Sequence, residues 1–404
     1  MVFKLAWRNI WRNRTRSLVI MLSVSVGLFS GIAVNALYKG MMDSRVRTVI
    51  QTETGHLQIH DPEFTEEKDP SAFILGKASL FEELNTMPAV AAFAERTVSA
   101  GMLTTATGSA GVIITGIMPG KEAAVSGLDK KIIAGVMSWP ENKKGVLIGK
   151  KLAQKLKLKK GSKIVLTTVD TASSLIAGAF SIMGIFQSAN APLDEVTVYT
   201  NINDLRAMLG LSEEIHEVAI LLKSDSALET TQNILASSNQ HLAVEPWQSL
   251  SPETDLMAGT INTYSSIILV IIMIALSFGI MNTMMMSILE RKHETGMMMA
   301  LGMSKNILLQ LILLETCLLA LGGIPVAITV AWLAIAYYGK NGMDFSGMGQ
   351  EMMQSFGFET AIYPSFPAAA IPGILLIVMA TALVSSLLPI WKSLQMNPID
   401  ALQN

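Results

Sequence analysis

The residues best suited to chemistry gather in one stretch, Leu289-Glu-Arg-Lys-His-Glu-Thr-Gly-Met-Met-Met-Ala-Leu-Gly-Met-Ser304. Glu290 and Glu294 would lie one turn apart on a helix, with Arg291 and Lys292 beside them. Such a set offers charge that another protein can grip, although a plain solvated loop would carry charges too. Helix is expected from Glu290 to Leu301, with Gly302 ending it and Ser304 capping the next helix by accepting a bond from a free backbone N–H. Side chains in place of Gly296 or Gly302 are expected to push this short helix off its socket.

Other constellations carry less. Gly145-Val-Leu-Ile-Gly149-Lys150 resembles a phosphate loop only superficially. A Walker A loop has four residues between its glycines and Ser or Thr after the lysine; here three intervene and Lys151 follows. Nucleotide binding by this chain is not expected. Met284-Met-Met286 and Met297-Met-Met299 would suit Cu(I) by softness, but three consecutive residues point around a helix instead of toward one centre. Adaptable packing is the expected role. His56, His60, His216, His241 and His293 are scattered, so no metal is expected.

The polar stretch must be held by its flanks. Ile261 to Ile288 carries no charge, and Ile307 to Tyr338 carries only Glu315 among acids and bases. Roughly 20 apolar residues at ~1.5 Å rise cross the ~30 Å hydrocarbon core, so both runs are expected to span a membrane. Glu315 then lies within a span, where it must face another helix, snorkel or be protonated; pairing within the spans or near the bridge is expected before a proton relay. Gly322, Gly323 and Pro325 predict a kink. Further spans are expected at 18–38 and 366–391. Ser23, Gly27 and Gly31 recur every four residues in the first, a face on which helices can approach closely.

The chain is half hydrophobic and 15% charged, which places it among membrane proteins. Its net charge of −2 says little, because membrane proteins sort charge by side. Residues 1–17 carry Lys4, Arg8, Arg12, Arg14 and Arg16 and no acid. Phe3, Trp7, Ile10 and Trp11 recur at helical spacing, so an amphipathic helix at the membrane surface is expected, with cations toward anionic lipid. A signal peptide fits less well, because the apolar run is too long and no cleavage site follows. Excess Lys and Arg puts residues 1–17 and 289–306 on the cytoplasmic side; 39–260 and the acidic 339–365 are then expected outside, and the fourth span returns 392–404 inside.

Within 39–260 an α+β pattern is expected. His56 to His60, Val112 to Ile117, Glu217 to Leu222 and His241 to Glu245 read as strands, and Leu80 to Met87 and Ala227 to Ser237 as helices. Residues 120–213 read as a mostly β insert, with strands at Val146–Ile148, Lys163–Thr168, Phe180–Phe186 and Glu195–Tyr199. Cys317, the only cysteine, lies in an apolar run, so this domain has no disulfide and must rest on its own core.

Three motifs carry a resemblance. Leu5-Ala-Trp-Arg-Asn-Ile-Trp-Arg-Asn-Arg-Thr-Arg-Ser17, the bridge Glu290-Arg-Lys-His-Glu-Thr-Gly296 with Ala300-Leu-Gly302, and Pro389-Ile-Trp-Lys-Ser-Leu-Gln-Met-Asn-Pro-Ile-Asp-Ala-Leu402 resemble the FtsX/MacB-type permeases of ABC transporters. Thr54-Gly-His-Leu-Gln-Ile59, Phe180-Ser-Ile-Met-Gly-Ile-Phe186 and Leu193-Asp-Glu-Val-Thr-Val-Tyr199 resemble the lipoprotein-releasing (Lol-type) branch. The resemblance implies four transmembrane helices, with 261–404 forming an FtsX-like permease domain. It also implies a periplasmic MacB-like domain with an inserted sabre-like subdomain.

Residues 289–306 become a coupling helix, with Glu290, Arg291, Lys292, Glu294, Gly296, Ala300, Leu301 and Gly302 as its contacts to ABC ATPase subunits. ATP and Mg then sit on that partner, no cofactor or metal is expected on this chain, and it is not expected to be an enzyme. A second permease, copy or paralogue, is implied, in the bacterial inner membrane and without nucleic acid. The resemblance implies release of lipid-anchored proteins, with drug or peptide efflux or control of a cell-wall hydrolase as alternatives. Thr167 to Phe180 departs from the branch's carrier-binding hook, being short and without proline. The chain is therefore expected to be a hookless partner or to handle a different substrate.

Overall fold

Each apolar run forms one helix: Arg14–Val49, Pro252–Glu290, Lys305–Asn341 and Ile371–Leu394. A computed structural model describes residues 2–64, 68–139 and 144–395, the side chains of residues 261, 262, 295 and 348 apart. The four helices are long and apolar enough to cross a membrane. The first three overrun the expected spans at both ends, because backbone hydrogen bonding extends a helix past its apolar section. The fourth begins at Ile371 instead of residue 366, with Pro372 in its first turn, where a missing N–H loses no bond. Of the expected 392–404 tail, residues 396–404, which include the end of the third motif, lie outside the described residues.

The chain divides into a helical unit (Met1–Met42, Ala258–Met343 and from Ile362 on) and an α+β unit (Asp43–Met257 with Asp344–Ala361). In the helical unit the first span buries Ile20, Val24, Leu28, Ile32 and Ala36, one residue per turn. Leu18, Val19, Leu22 and Val26 face outward. A helix apolar on both faces is matched to lipid, not water. A Cβ on Gly27 would lie 2.7 Å from Leu276 and one on Gly31 2.7 Å from Leu269, so these two glycines seat the second span. Ser23 stays on the exposed side, its hydroxyl donating to the Val19 carbonyl at 2.9 Å.

The third span also presses on the first. Ser25 Oγ donates to the Gly323 carbonyl at 2.8 Å. A Cβ on Gly323 would lie 2.6 Å from the Met21 carbonyl oxygen, whereas one on Gly322 would meet the flexible end of the Met21 side chain at 3.0 Å. Backbone cannot yield as a methionine tip can. Gly323→Ala is therefore expected to destabilise the chain by about 1–3 kcal/mol, and Gly322→Ala to change little. Thermal midpoints of both variants in detergent check this; equal losses would refute the packing argument.

The α+β unit is built on ten strands: β1 (Leu57–His60), β2 (Val90–Thr105), β3 (Gly108–Ile117), β4 (Ile132–Gly135), β5 (Gly145–Gly149), β6 (Lys163–Val169), β7 (Leu175–Phe186), β8 (Thr197–Asn201), β9 (Glu217–Leu222) and β10 (Ala243–Pro246). Their order is β10-β1-β9-β2-β3-β8-β5-β7-β4, with β6 pairing to β2 and β7. β3–β8 and β5–β7 are parallel. Two apolar clusters lie along this sheet. One holds Leu57, Ile59, Leu80, Val218, Ile220 and Leu235; the other holds Leu103, Ile114, Ile148, Leu166, Phe180 and Leu209. The second draws on Leu103, Val112 and Ile114, so it begins inside the β2–β3 hairpin, upstream of the expected insert at 120. The expected strand at Glu195 also shifts: Ala191–Val196 is a helix with Pro192 in its first turn, and β8 starts at Thr197. Thr167 to Phe180 is the β6–β7 hairpin, closed by Asp170 accepting from the N–H groups of Ala172 and Ser174 at 2.9 and 2.8 Å.

Charge is buried here. Arg96 on β2 donates to both Glu122 carboxylate oxygens at 2.9 and 2.8 Å, to Glu217 at 3.3 Å and to the Glu53 carbonyl at 2.8 Å. Burial works against its charge, but Glu122 and then Glu217 more than offset that and hold the guanidinium above its ordinary value. Glu95, the residue before it, bonds Lys121 at 3.0 Å and Arg206 at 3.1 Å.

Nearby, burial pushes the Asp194 carboxyl up to about 6 despite the bonds it accepts from Ser188. Burial also pulls the Lys131 ammonium down to about 8, against Glu122, Asp194, Glu359 and Glu53. The signs follow from linkage. Between 3.8 and about 6 the folded chain keeps a proton on Asp194 that the unfolded chain has lost, so this group's contribution to stability falls as pH rises through that window. Lys131 acts oppositely, adding stability as pH rises from about 8 toward 10.5. Asp194→Asn is expected to remove a loss of about 1–3 kcal/mol between the two ends of the acid window. Urea midpoints of variant and parent across that window check it, and parallel profiles would refute it.

Candidate functional site

The bridge between the second and third spans contains a short helix, Lys292–Ala300. Glu290 is still the last residue of the second span, and the helix breaks at Arg291. Glu290 and Glu294 therefore belong to two helices instead of the single expected one. The short helix ends as its sequence suggests. Met303 N–H donates to the Met298 carbonyl at 3.0 Å and Gly302 N–H to Met299 at 3.1 Å. Gly302 takes φ +94°, a conformation that favours glycine. Within the chain a Cβ there would meet nothing within 4 Å. Within the chain the requirement at Gly302 is thus its backbone angle. Ser304 occupies the cap position of the next helix, but its side chain makes no cap bond. The hydroxyl is exposed to solvent, which can satisfy it.

The bridge carboxylates are held from the N-terminus. Val2–Arg12 is a helix, and after a break at Asn13 the first span begins. Arg12 pairs with Glu294 and Arg16 with Glu290. Arg16 also donates to Ser287 Oγ at 3.2 Å, and Ser17 Oγ donates across the break to the Ile10 carbonyl at 2.8 Å. Arg291 turns inward, donating to Glu315 at 3.2 Å and to the Asn9 carbonyl at 3.2 Å. A cavity of about 360 Å³ adjoins these groups, lined by Arg8, Met284, Met298 and Leu311 among others.

The predicted contacts therefore separate. Glu290, Glu294, Ala300, Leu301 and Gly302 are exposed, with Leu301 84% exposed; Lys292 is half-buried and Gly296 buried. Glu294, Met297 and Leu301 share one exposed face at helical spacing. Arg291 does not fit the expected surface role, because its charge neutralises Glu315. That pair is the structural partnership expected for Glu315. Sequence reasoning missed Arg12, Arg16 and Asn9 as partners of the bridge. It turned every N-terminal cation toward lipid, and the overlooked signal was the four-residue repeat Arg8, Arg12, Arg16, which matches the Glu290, Glu294 spacing. The exposed Arg12–Glu294 pair is worth about 0–1 kcal/mol; its use is geometric, fixing the bridge against the N-terminal helix.

Gly145–Gly149 is a buried strand and the following helix starts directly at Lys150, so no loop of N–H groups stands there. Among the described residues no group of three or more His, Cys, Asp or Glu could hold a metal ion.

A family model described as MacB-like periplasmic core domain matches residues 17–237, and one described as FtsX-like permease C-terminal matches 266–398. The chain belongs to the FtsX/MacB-type permeases of ABC transporters. It is 19% identical to the lipoprotein-releasing system transmembrane protein LolC of Xylella fastidiosa strain Temecula1, over 72% of this chain and 72% of that protein. It is 22% identical to the macrolide export ATP-binding/permease protein MacB of Hahella chejuensis, over 99% of this chain and 59% of that protein. The crystal structure of the periplasmic region of MacB from Actinobacillus actinomycetemcomitans aligns with 52% of this chain and 97% of its own at 11% identity, with a TM-score of 0.36. Permeases of this family are membrane-embedded with a periplasmic domain, and they work with ABC ATPases.

Proposed function

We propose that an ABC ATPase grips this permease at residues 289–306, and that ATP-driven closure of two ATPase subunits moves the bridges of two permeases and, through the spans, their periplasmic domains. The observation that supports this most is the set of ties around the bridge: Glu294 to Arg12, Glu290 to Arg16 and Arg291 to Glu315. A push on the exposed Glu294–Leu301 face is then shared by the N-terminal helix and three spans instead of bending a loop. In this reading the bridge and both termini are cytoplasmic in a bacterial inner membrane. ATP and Mg sit on the ATPase, and the second permease is a copy or a paralogue.

The cargo in this reading is a lipid-anchored protein drawn from the outer leaflet of that membrane. The likeness to LolC supports it. The likeness to a macrolide exporter along 99% of the chain favours efflux as the second reading. Reconstitution with the ATPase in liposomes bearing a lipoprotein decides between them. ATP-dependent appearance of soluble lipoprotein is the expected result. ATP turnover with drug export and no release would replace it with efflux, and hydrolase activation with neither would replace both.

A further inference from the structure

The break at Asn13 opens a cleft of about 790 Å³ whose lining includes Arg12, Asn13, Arg14, Thr15, Arg16 and Glu290. Its three arginines stand against Glu290 and, on Arg12, Glu294, which leaves one positive charge in excess. Next to it the N-terminal helix turns Phe3, Trp7 and Trp11 outward, 56%, 50% and 55% exposed, while Ala6 and Ile10 are buried. Outward aromatic rings on a surface helix sit at the depth of lipid headgroups. The Arg14 guanidinium lies 5.9 Å from the Trp11 ring centre, which stations a cation at that same depth. Guanidinium forks match phosphate geometry, and the positive excess favours an anionic headgroup over a zwitterionic one. Two of the three arginines are also the partners of the bridge: Arg12 holds Glu294 and Arg16 holds Glu290.

We propose that this cleft binds the phosphate of an anionic phospholipid headgroup. The bound headgroup competes with Glu294 and Glu290 for Arg12 and Arg16, so the charge of the leaflet sets how firmly the bridge is held. The competition deepens the reading of the bridge as the element that receives force; the binding itself is independent of that reading.

The test uses the full chain in nanodiscs of phosphatidylcholine alone or mixed with phosphatidylglycerol. Native mass spectrometry counts retained lipid, and a nitroxide on Leu301→Cys in a Cys317→Ala background reports bridge mobility. Neither readout needs an ATPase or cargo, so their failure is distinct from failure of the transport reading. Phosphatidylglycerol is expected to be retained over phosphatidylcholine and to loosen the bridge. Arg14→Gln, at an exposed position outside the two ion pairs, is expected to lower that retention about fivefold and to abolish the loosening. Arg14→Lys keeps the charge and most of the retention. Equal retention of both lipids, or retention indifferent to Arg14→Gln, overturns the site. Retention with an unmoved bridge overturns the competition. Loosening by inorganic phosphate in phosphatidylcholine discs overturns the lipid assignment.

Discussion

Arg96→Met is expected to destabilise the α+β unit by about 3–5 kcal/mol. The cost comes from what remains, not from what is removed. Glu122 is wholly buried and loses both hydrogen bonds to its carboxylate from this guanidinium. Glu217 loses its 3.3 Å contact and the Glu53 carbonyl its 2.8 Å donor. A buried carboxylate without its cation must ionise unpaired or take up a proton, and either choice penalises the folded state at neutral pH. The ion pairs themselves are not the source of stability, because desolvating three charges consumes most of their attraction. Arg96→Met combined with Glu122→Leu is therefore expected to recover a large part of the loss. Urea midpoints of the full chain in detergent, followed by tryptophan fluorescence, give both values. A double variant as unstable as the single would show that the arginine's packing, and not the stranded carboxylate, sets the cost.

The same strand shows where sequence stops being legible. The four spans were readable because lipid imposes one rule on every residue, and the end of the bridge helix at Gly302 was readable because few residues adopt its backbone angle. β2 was not readable. Its residues 90–105 include Glu95 and Arg96, charges that ordinarily argue against a buried strand. Their compensation comes from Glu122, Arg206, Glu217 and Lys121, as many as 121 residues away in the chain. The β2–β3 turn hides for a related reason. Its two loop residues, Ala106 and Thr107, lack the usual Gly or Asn, and Thr105 Oγ1 instead accepts from the N–H groups of Thr107 and Gly108, each at 3.2 Å. The bridge was legible as an element but not in its contacts. Its charges could be counted from sequence, yet whether Arg291 faces water or Glu315 depends on a break that no residue type announces.

Reversing both bridge carboxylates, Glu290→Lys with Glu294→Lys, is expected to cut ATP-driven transport about tenfold or more, the scale of losing close charge pairs at an interface. Basal ATP hydrolysis and expression are expected to persist. The ion pairs within the chain give this experiment two possible causes. The lysines would face Arg16 and Arg12 as like charges, loosening the bridge from the N-terminal helix. They would also remove the negative charge that an ATPase could read on the exposed face. Exchanging the partners separates the two. Arg12→Glu with Glu294→Arg, joined to Arg16→Glu with Glu290→Arg, restores attraction within the chain while leaving the exposed face positive. If the ATPase reads the carboxylates, the exchanged chain recovers the thermal midpoint of the parent but transports no better than the double reversal. If transport returns with stability, the carboxylates serve only to hold the bridge in place, and the partner's grip must fall on Met297, Ala300 and Leu301 instead.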